Sequence, residues 1–91
     1  MNLTWTRRGL SDVVRLHEFL AVVNPAAADR AVQLLTRAAE RLLAHPRMGE
    51  KLSQYEPREV RHLIVGAYEI RYELTRSDIH ILRLWHTREN R

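Results

Sequence analysis

The chain has no cysteine, a single phenylalanine, and only three glycines and three prolines in 91 residues. Without cysteine there is no disulfide framework, no thiolate metal site and no thiol nucleophile. Glycine is too sparse for a phosphate-cradling loop, and no serine stands in a nucleophile elbow. The apolar stretches fall far short of the roughly 20 residues that span a bilayer. No basic start followed by an apolar core opens the chain, so the expectation is a cytoplasmic protein that does not associate with membranes. No two histidines stand one helical turn apart in acidic company, so no metal is expected. No cofactor is implied. What remains is binding, or acid–base chemistry carried by side chains alone.

At 45% hydrophobic and 29% charged the composition is that of a folded chain. Residues 1–91 are too few for two hydrophobic cores, so one domain is expected, with a core small enough that a bound partner adds appreciably to its stability. The net charge is +4, and Lys51 is the only lysine beside fourteen arginines. The arginine fork suits phosphate and carboxylate, which favours an acidic partner, whether nucleic acid or protein. A genome that writes arginine for lysine explains the excess equally well.

Residues 2–6 alternate polar and apolar among β-formers and read as a first strand. Leu10, Val13, Val14, His17, Leu20 and Val23 then recur at three- and four-residue steps, which predicts an amphipathic helix over 8–22. Asn24-Pro25 caps and opens a second helix over 25–44, with Ala28, Ala31, Val32, Leu35, Ala38, Ala39 and Leu42 on its apolar stripe. So short a link folds the pair into an antiparallel hairpin. Pro46, Gly49 and Pro57 punctuate a polar loop over 45–58. Three strands follow: Val60 to Val65, Tyr68 to Leu74 across a Gly66-Ala67 turn, and Ile79 to Trp85 after Ser77-Asp78. Ile81-Leu82 and Leu84-Trp85 make the last strand apolar on both sides, as a central strand would be. A polar tail runs from His86 to Arg91. The fold class is α+β, in the order β-α-α-β-β-β, with the helix hairpin packed on one face of a small curled, mainly antiparallel sheet. The opposite face is left charged.

On that sheet Arg61, His62, Glu69, Arg71, Arg83, His86 and Arg88 stand out. Arginines with a histidine can clamp a phosphate and move a proton, or hold an acidic protein surface. Against this, Glu–Arg cross-strand pairs on a solvated face contribute only about 0.2–1 kcal/mol each and need no function. His17 falls on the apolar stripe of the first helix and is expected packed; His45 suits a helix end, and His80 is expected exposed. Trp5 and Trp85 fit as core fillers. Tyr55 and Tyr68 are available for stacking.

The run Asn24-Pro25-Ala26-Ala27-Ala28-Asp29-Arg30, then Ala38 to Leu43, then His45-Pro46-Arg47-Met48-Gly49 resembles the second helix and following loop of RelE/ParE toxins. The runs Val60 to Tyr72 and Ile81 to Arg88 resemble the sheet of the same family, in the same order. This resemblance implies a growth-arresting toxin of a type II toxin–antitoxin system, a plasmid-stabilising or chromosomal stress module. Such a toxin is neutralised by a cognate antitoxin with which it forms a hetero-oligomer. RelE-like members cleave messenger RNA on the ribosome; ParE-like members inhibit DNA gyrase. Nuclease members carry an arginine where this chain has Glu69, a carboxylate that repels the scissile phosphate. They also extend past the last strand, whereas this chain stops at Arg91. Both departures favour the ParE-like reading, a gyrase inhibitor that is not an enzyme and uses Arg61, Arg71, Arg83, His86 and Arg88 to hold its target. The alternative is a ribosome-dependent mRNA interferase with His86, Arg88 and Arg71 catalytic. Antitoxin docking is expected on the helix hairpin through Ala27, Ala28, Ala31 and Leu35, with the adjoining sheet edge.

Overall fold

The computed structural model describes residues 1–89; the last two residues of the expected polar tail lie outside the described residues. The elements run β1 (Asn2–Trp5), α1 (Arg7–Ala21), α2 (Pro25–Arg41), β2 (Glu50–Lys51), a 3-10 turn (Ser53–Tyr55), β3 (Glu59–Val65), β4 (Tyr68–Leu74) and β5 (Asp78–His86). The expected β-α-α-β-β-β order holds, and the expected loop 45–58 adds only the two-residue β2 and the 3-10 turn. The sheet is open and mixed, ordered β1-β5-β4-β3-β2, with β1 parallel to β5 and the other pairs antiparallel.

Local chemistry sets the helix boundaries. The Thr6 hydroxyl caps α1 by accepting from the Gly9 N–H at 3.0 Å and itself donates to the Ile81 carbonyl at 2.9 Å, tying the cap to β5. Asn24 caps α2 by accepting from the Ala27 N–H at 3.2 Å, with Pro25 in the first turn. Leu35, Ala38, Ala39 and Leu42 of α2 and its exit, with Leu16 of α1, pack on Ile70, Tyr72, Leu74, Ile79, Ile81 and Leu84. This buried layer lies between the hairpin and one face of the sheet.

Two packing events depart from simple periodicity. In α1 the face turned to the sheet carries Gly9, Asp12 and Leu16, while Leu10 and Val14 are 54% and 55% exposed. Gly9 decides this. A Cβ at that position would sit 2.6 Å from the Ile81 carbonyl oxygen, so the close approach requires glycine. Asp12 is drawn in because β1 ends opposite Ile81 and leaves the next stretch of β5 edge unpaired. Its carboxylate accepts from the Leu84 N–H at 2.9 Å in place of a strand. The expected stripe is therefore rotated, and His17, expected in the core, is instead half-exposed and bonded to Asp29 of α2 at 2.8 Å.

The second event is a bulge. Tyr72 faces Ile81 but Arg71 faces Arg83, so Leu82 is an extra residue on β5. The inserted residue switches the parity of the strand: Ile79, Ile81 and Leu84 face the helices, whereas Arg83 and Trp85 face away. This accounts for the consecutive apolar pairs, and β5 is an interior strand, paired with β1 on one side and β4 on the other.

Candidate functional site

Register places side chains on the face away from the helices. On β4 these are Glu69, Arg71 and Glu73; opposite them stand Ile64, His62 and Val60 of β3, and Trp85, Arg83 and His80 of β5. The Arg71 guanidinium lies 4.8 Å from the Trp85 ring centroid and 5.7 Å from that of Tyr55, which the 3-10 turn folds over it. It donates to the Tyr55 hydroxyl at 2.9 Å and to Glu69 Oε2 at 3.3 Å. Across the strand, His62 Nδ1 approaches the same Glu69 oxygen at 3.4 Å.

Beside this stack a cleft of about 690 Å³ opens, lined by Thr6, Arg7, Arg8, Tyr55, Arg71, Leu82, Arg83 and Trp85. Arg83 reaches from the cleft to Asp12, donating from Nε at 2.8 Å and from Nη2 at 3.2 Å. Burial pushes the Asp12 carboxyl up, but hydrogen bonds from Arg83, the Leu84 N–H and Arg15 outweigh it and hold the group below its ordinary range. The same bond raises Arg83. Arg7 and Arg8 are exposed in the first turn of α1 and form no ion pair among the described residues. Cations at that end are unfavourable to the helix dipole, so these two add charge to the cleft at a small local cost.

The five residues expected on the open face and tail do not share one side of the sheet. Arg71 and Arg83 are there. Arg61 lies opposite Tyr72, on the helix side, where it donates to Glu59 at 2.8 Å and to the Gly49 carbonyl at 2.8 Å. His86 lies opposite Tyr68, also on the helix side, with its ring edge-on to that tyrosine at 5.3 Å. Arg83 and His86 stand three positions apart, an odd step that turns the two side chains to opposite faces. Arg88 lies past β5, its N–H donating to His86 Nδ1 at 3.1 Å. A catalytic set of His86, Arg88 and Arg71 is thus split across the sheet. The expected antitoxin contacts are also displaced: Ala28, Ala31 and Leu35 are 0%, 6% and 1% exposed, because the α2 stripe is turned inward, Leu35 into the core layer, and of the four only Ala27 is partly open. Sequence alone does not mark Arg7 and Arg8. The signal was a capping threonine followed by two cations, legible only once β5 is known to lie alongside. Among the described residues, no three His, Asp or Glu side chains gather as a metal cage, and no helix is long and apolar enough to cross a membrane.

The profile of the family described as "ParE toxin of type II toxin-antitoxin system, parDE" matches residues 3–91. The chain belongs to the RelE/ParE superfamily of type II toxins. Curated relatives in Caulobacter vibrioides carry the other name of that superfamily. Toxin RelE2 is 32% identical, with 92% of each chain covered, and Toxin RelE1 is 33% identical, with 92% of this chain and 90% of its own covered. A solved structure titled "Chromosomal ParDE TA system from P. aeruginosa" superposes with a TM-score of 0.79 at 25% identity, covering 94% of this chain and 95% of its own. The family assignment brings with it a protein partner, the antitoxin.

Proposed function

We propose that this toxin acts as ParE-like members do, arresting growth by non-catalytic contact with DNA gyrase, and that the cleft of Arg7, Arg8, Arg71 and Arg83 is its contact surface. One observation carries the reading. The open face has arginines but their working ends are tied: Arg71 to Tyr55 and Glu69, Arg83 to Asp12, while His86 sits on the far face. A phosphate clamp that relies on His86 for proton transfer is not supported by that arrangement, whereas a rigid, cationic, aromatic-walled surface suits protein contact. Glu69, buried at 7% exposure, further lowers the affinity of this face for a scissile phosphate.

A second reading has its own observation. His62 stands directly across from Arg71 on the open face and within 3.4 Å of Glu69, an orientation that suits a histidine acid or base in message cleavage. Two assays with purified components separate the readings. Gyrase contact gives loss of supercoiling or trapped cleavage complexes with translation unaffected. Nuclease action gives cuts in ribosome-bound message that vanish in His62→Ala. Unimpaired gyrase in the presence of excess protein would reject the first.

A further inference from the structure

The edge of β5 beside α1 carries a line of charges that joins the cleft to the far end of the strand. β1 pairs with β5 only from Asp78 to Ile81, so beyond that point α1 supplies what a neighbouring strand would. It does so at Leu84 with two side chains one turn apart. Asp12 accepts from the Leu84 N–H at 2.9 Å, and Arg15 Nη2 donates to the Leu84 carbonyl at 3.1 Å. Each of the two also reaches one charge further along the strand. Arg83, a wall of the cleft, holds Asp12. Glu89, past the end of β5, pairs with Arg15 through one carboxylate oxygen and accepts from the His86 N–H at 2.7 Å on the other. The charges therefore run Arg83, Asp12, Arg15, Glu89, and alternate in sign at every step.

The second link of this line is full. Asp12 Oδ2 accepts from Arg83 Nε at 2.8 Å as well as from the Leu84 N–H. Oδ1 accepts from Arg83 Nη2 at 3.2 Å and from Arg15 Nη2 at 3.1 Å. These donors match the roughly four lone-pair sites that a carboxylate offers. Two arginines thus share Oδ1, and a closer hold by one loosens the other. Glu89 bears on that balance because it takes Arg15 Nη1, drawing part of the guanidinium away from Asp12. Its charge is also felt at the far end: Arg83 is raised above its ordinary range first by the hydrogen bond to Asp12 and in smaller part by Glu89.

We propose that Glu89 and Arg15 are positioning residues for the cleft, the charge of Glu89 setting, through Arg15, how firmly Asp12 holds the Arg83 guanidinium. The inference rests on the reading of the cleft as the target contact and adds which residues outside it tune its charge. Loss of the Glu89 charge leaves Arg15 with Asp12 as its one carboxylate among the described residues. Arg15 then takes a larger share of Oδ1, and Arg83 Nη2 is released toward the cleft. Loss of the Arg15 charge does the reverse, since Asp12 is left with a single guanidinium to hold. Glu89→Gln and Arg15→Gln break the same ion pair, yet they move Arg83 in opposite directions. A clasp that merely held the end of the chain would move both variants the same way.

The test compares the two variants with wild type in the full-length toxin. Heteronuclear NMR follows the Nε–Hε group of Arg83, whose exchange with water reports how firmly Asp12 holds it. Exchange is expected several-fold faster in Glu89→Gln and slower in Arg15→Gln. Supercoiling inhibition at low salt is expected to need several-fold less of Glu89→Gln than of wild type, and no less of Arg15→Gln, with the difference narrowing as salt screens the released charge. Exchange that changes in the same direction in both variants, or in neither, overturns the proposal. So does equal potency of all three proteins where the wild type inhibits. A wild-type toxin that leaves gyrase unimpaired rejects the reading of the cleft, and the exchange rates then decide alone whether Glu89 positions Arg83.

Discussion

Around the sheet, Arg47, Arg58, Arg61, Arg71 and Arg83 each hold a carboxylate, whereas on the helices Arg7, Arg8, Arg30, Arg37 and Arg41 hold none among the described residues. Arg15 is the exception on the helices, and it reaches Asp12 and Glu89 because it too lies against β5. The two groups of arginine do different work. Those at the sheet are ties between strands, loops and α1, and their charge is largely cancelled on the spot. Those on the helices leave their charge to solvent or to a partner. What a partner meets is therefore set by which arginines are free, and not by the net charge of +4. Electrostatic steering toward an acidic partner should follow the helices and the mouth of the cleft at the start of α1.

The contrast can be broken most forcefully at Asp12, the buried carboxylate, 4% exposed, that Arg83, Arg15 and the Leu84 N–H share. Asp12→Ala leaves a buried backbone donor without a partner and frees two arginines that reach water only in part, so a loss of about 2–3 kcal/mol is expected in urea unfolding. Asp12→Asn keeps one acceptor and should lose less. A cost for Asp12→Ala as small as that of an exposed substitution would mean that the sheet arginines are not ties at all.

Acid sharpens the same point. Arg61 and Arg47 hold Glu59 below its ordinary value of 4.5, Arg58 does the same for Glu73, and Asp12 sits below its ordinary 3.8 despite burial. A carboxyl with a depressed folded value binds its proton more readily in the unfolded chain. Its contribution is whole above about pH 4.5 and is lost as pH falls through the folded values. Stability measured from pH 7 downward should hold until that range and then drop. In Asp12→Asn the drop should be shallower than in the parent, and equal slopes would show that the Asp12 tie carries no linked proton.

At Arg61 the expected effect is smaller. This side chain ties Glu59 to the Gly49 carbonyl beneath the loop that Tyr72 also holds, its hydroxyl donating to Pro46 O at 2.7 Å and accepting from the Gly49 N–H at 2.9 Å. Arg61→Ala removes one of two anchors, and about 1–2 kcal/mol is expected. On the proposed reading, gyrase inhibition should survive wherever the variant remains folded, because Arg61 faces away from the cleft. Loss of inhibition by a folded Arg61→Ala would move the target surface to the helix side.

The element order was legible because periodicity, a capping asparagine and a proline each pointed the same way around residue 24, and because β4 alternates cleanly. The assignment of side chains to faces was less legible, for two physical reasons. Leu82 is an inserted residue that no alternation count can reveal, so the parity read for Ile79 and Ile81 could not be carried past it to Arg83 and His86. Gly9 turns α1 by allowing backbone contact with β5, which brings Asp12 in and leaves Leu10 and Val14 out. Both are tertiary events that override a local pattern. For the same reason the cleft is not legible in the sequence: Arg7 and Arg8 belong to it only because β5 passes under Thr6, and Tyr55 only because a 3-10 turn folds back over Arg71.

The smallest expected change in stability belongs to the free arginines at the mouth of the cleft. Arg7→Ser with Arg8→Ser removes two exposed cations without an ion pair among the described residues, and relieves two charges at the positive end of α1. Folding free energy should stay within about 0.5 kcal/mol of the parent, with any shift toward greater stability. Function should respond out of proportion to that. If these side chains supply the charge that the tied arginines cannot, supercoiling assays should need several-fold more of the variant for equal inhibition, and the gap should narrow as salt screens the contact. Equal potency at low salt would place the working charge elsewhere, with Arg30, Arg37 and Arg41 of α2 next to be tested. A variant that lost potency and stability together would erase the division between tying and free arginines on which this contrast stands.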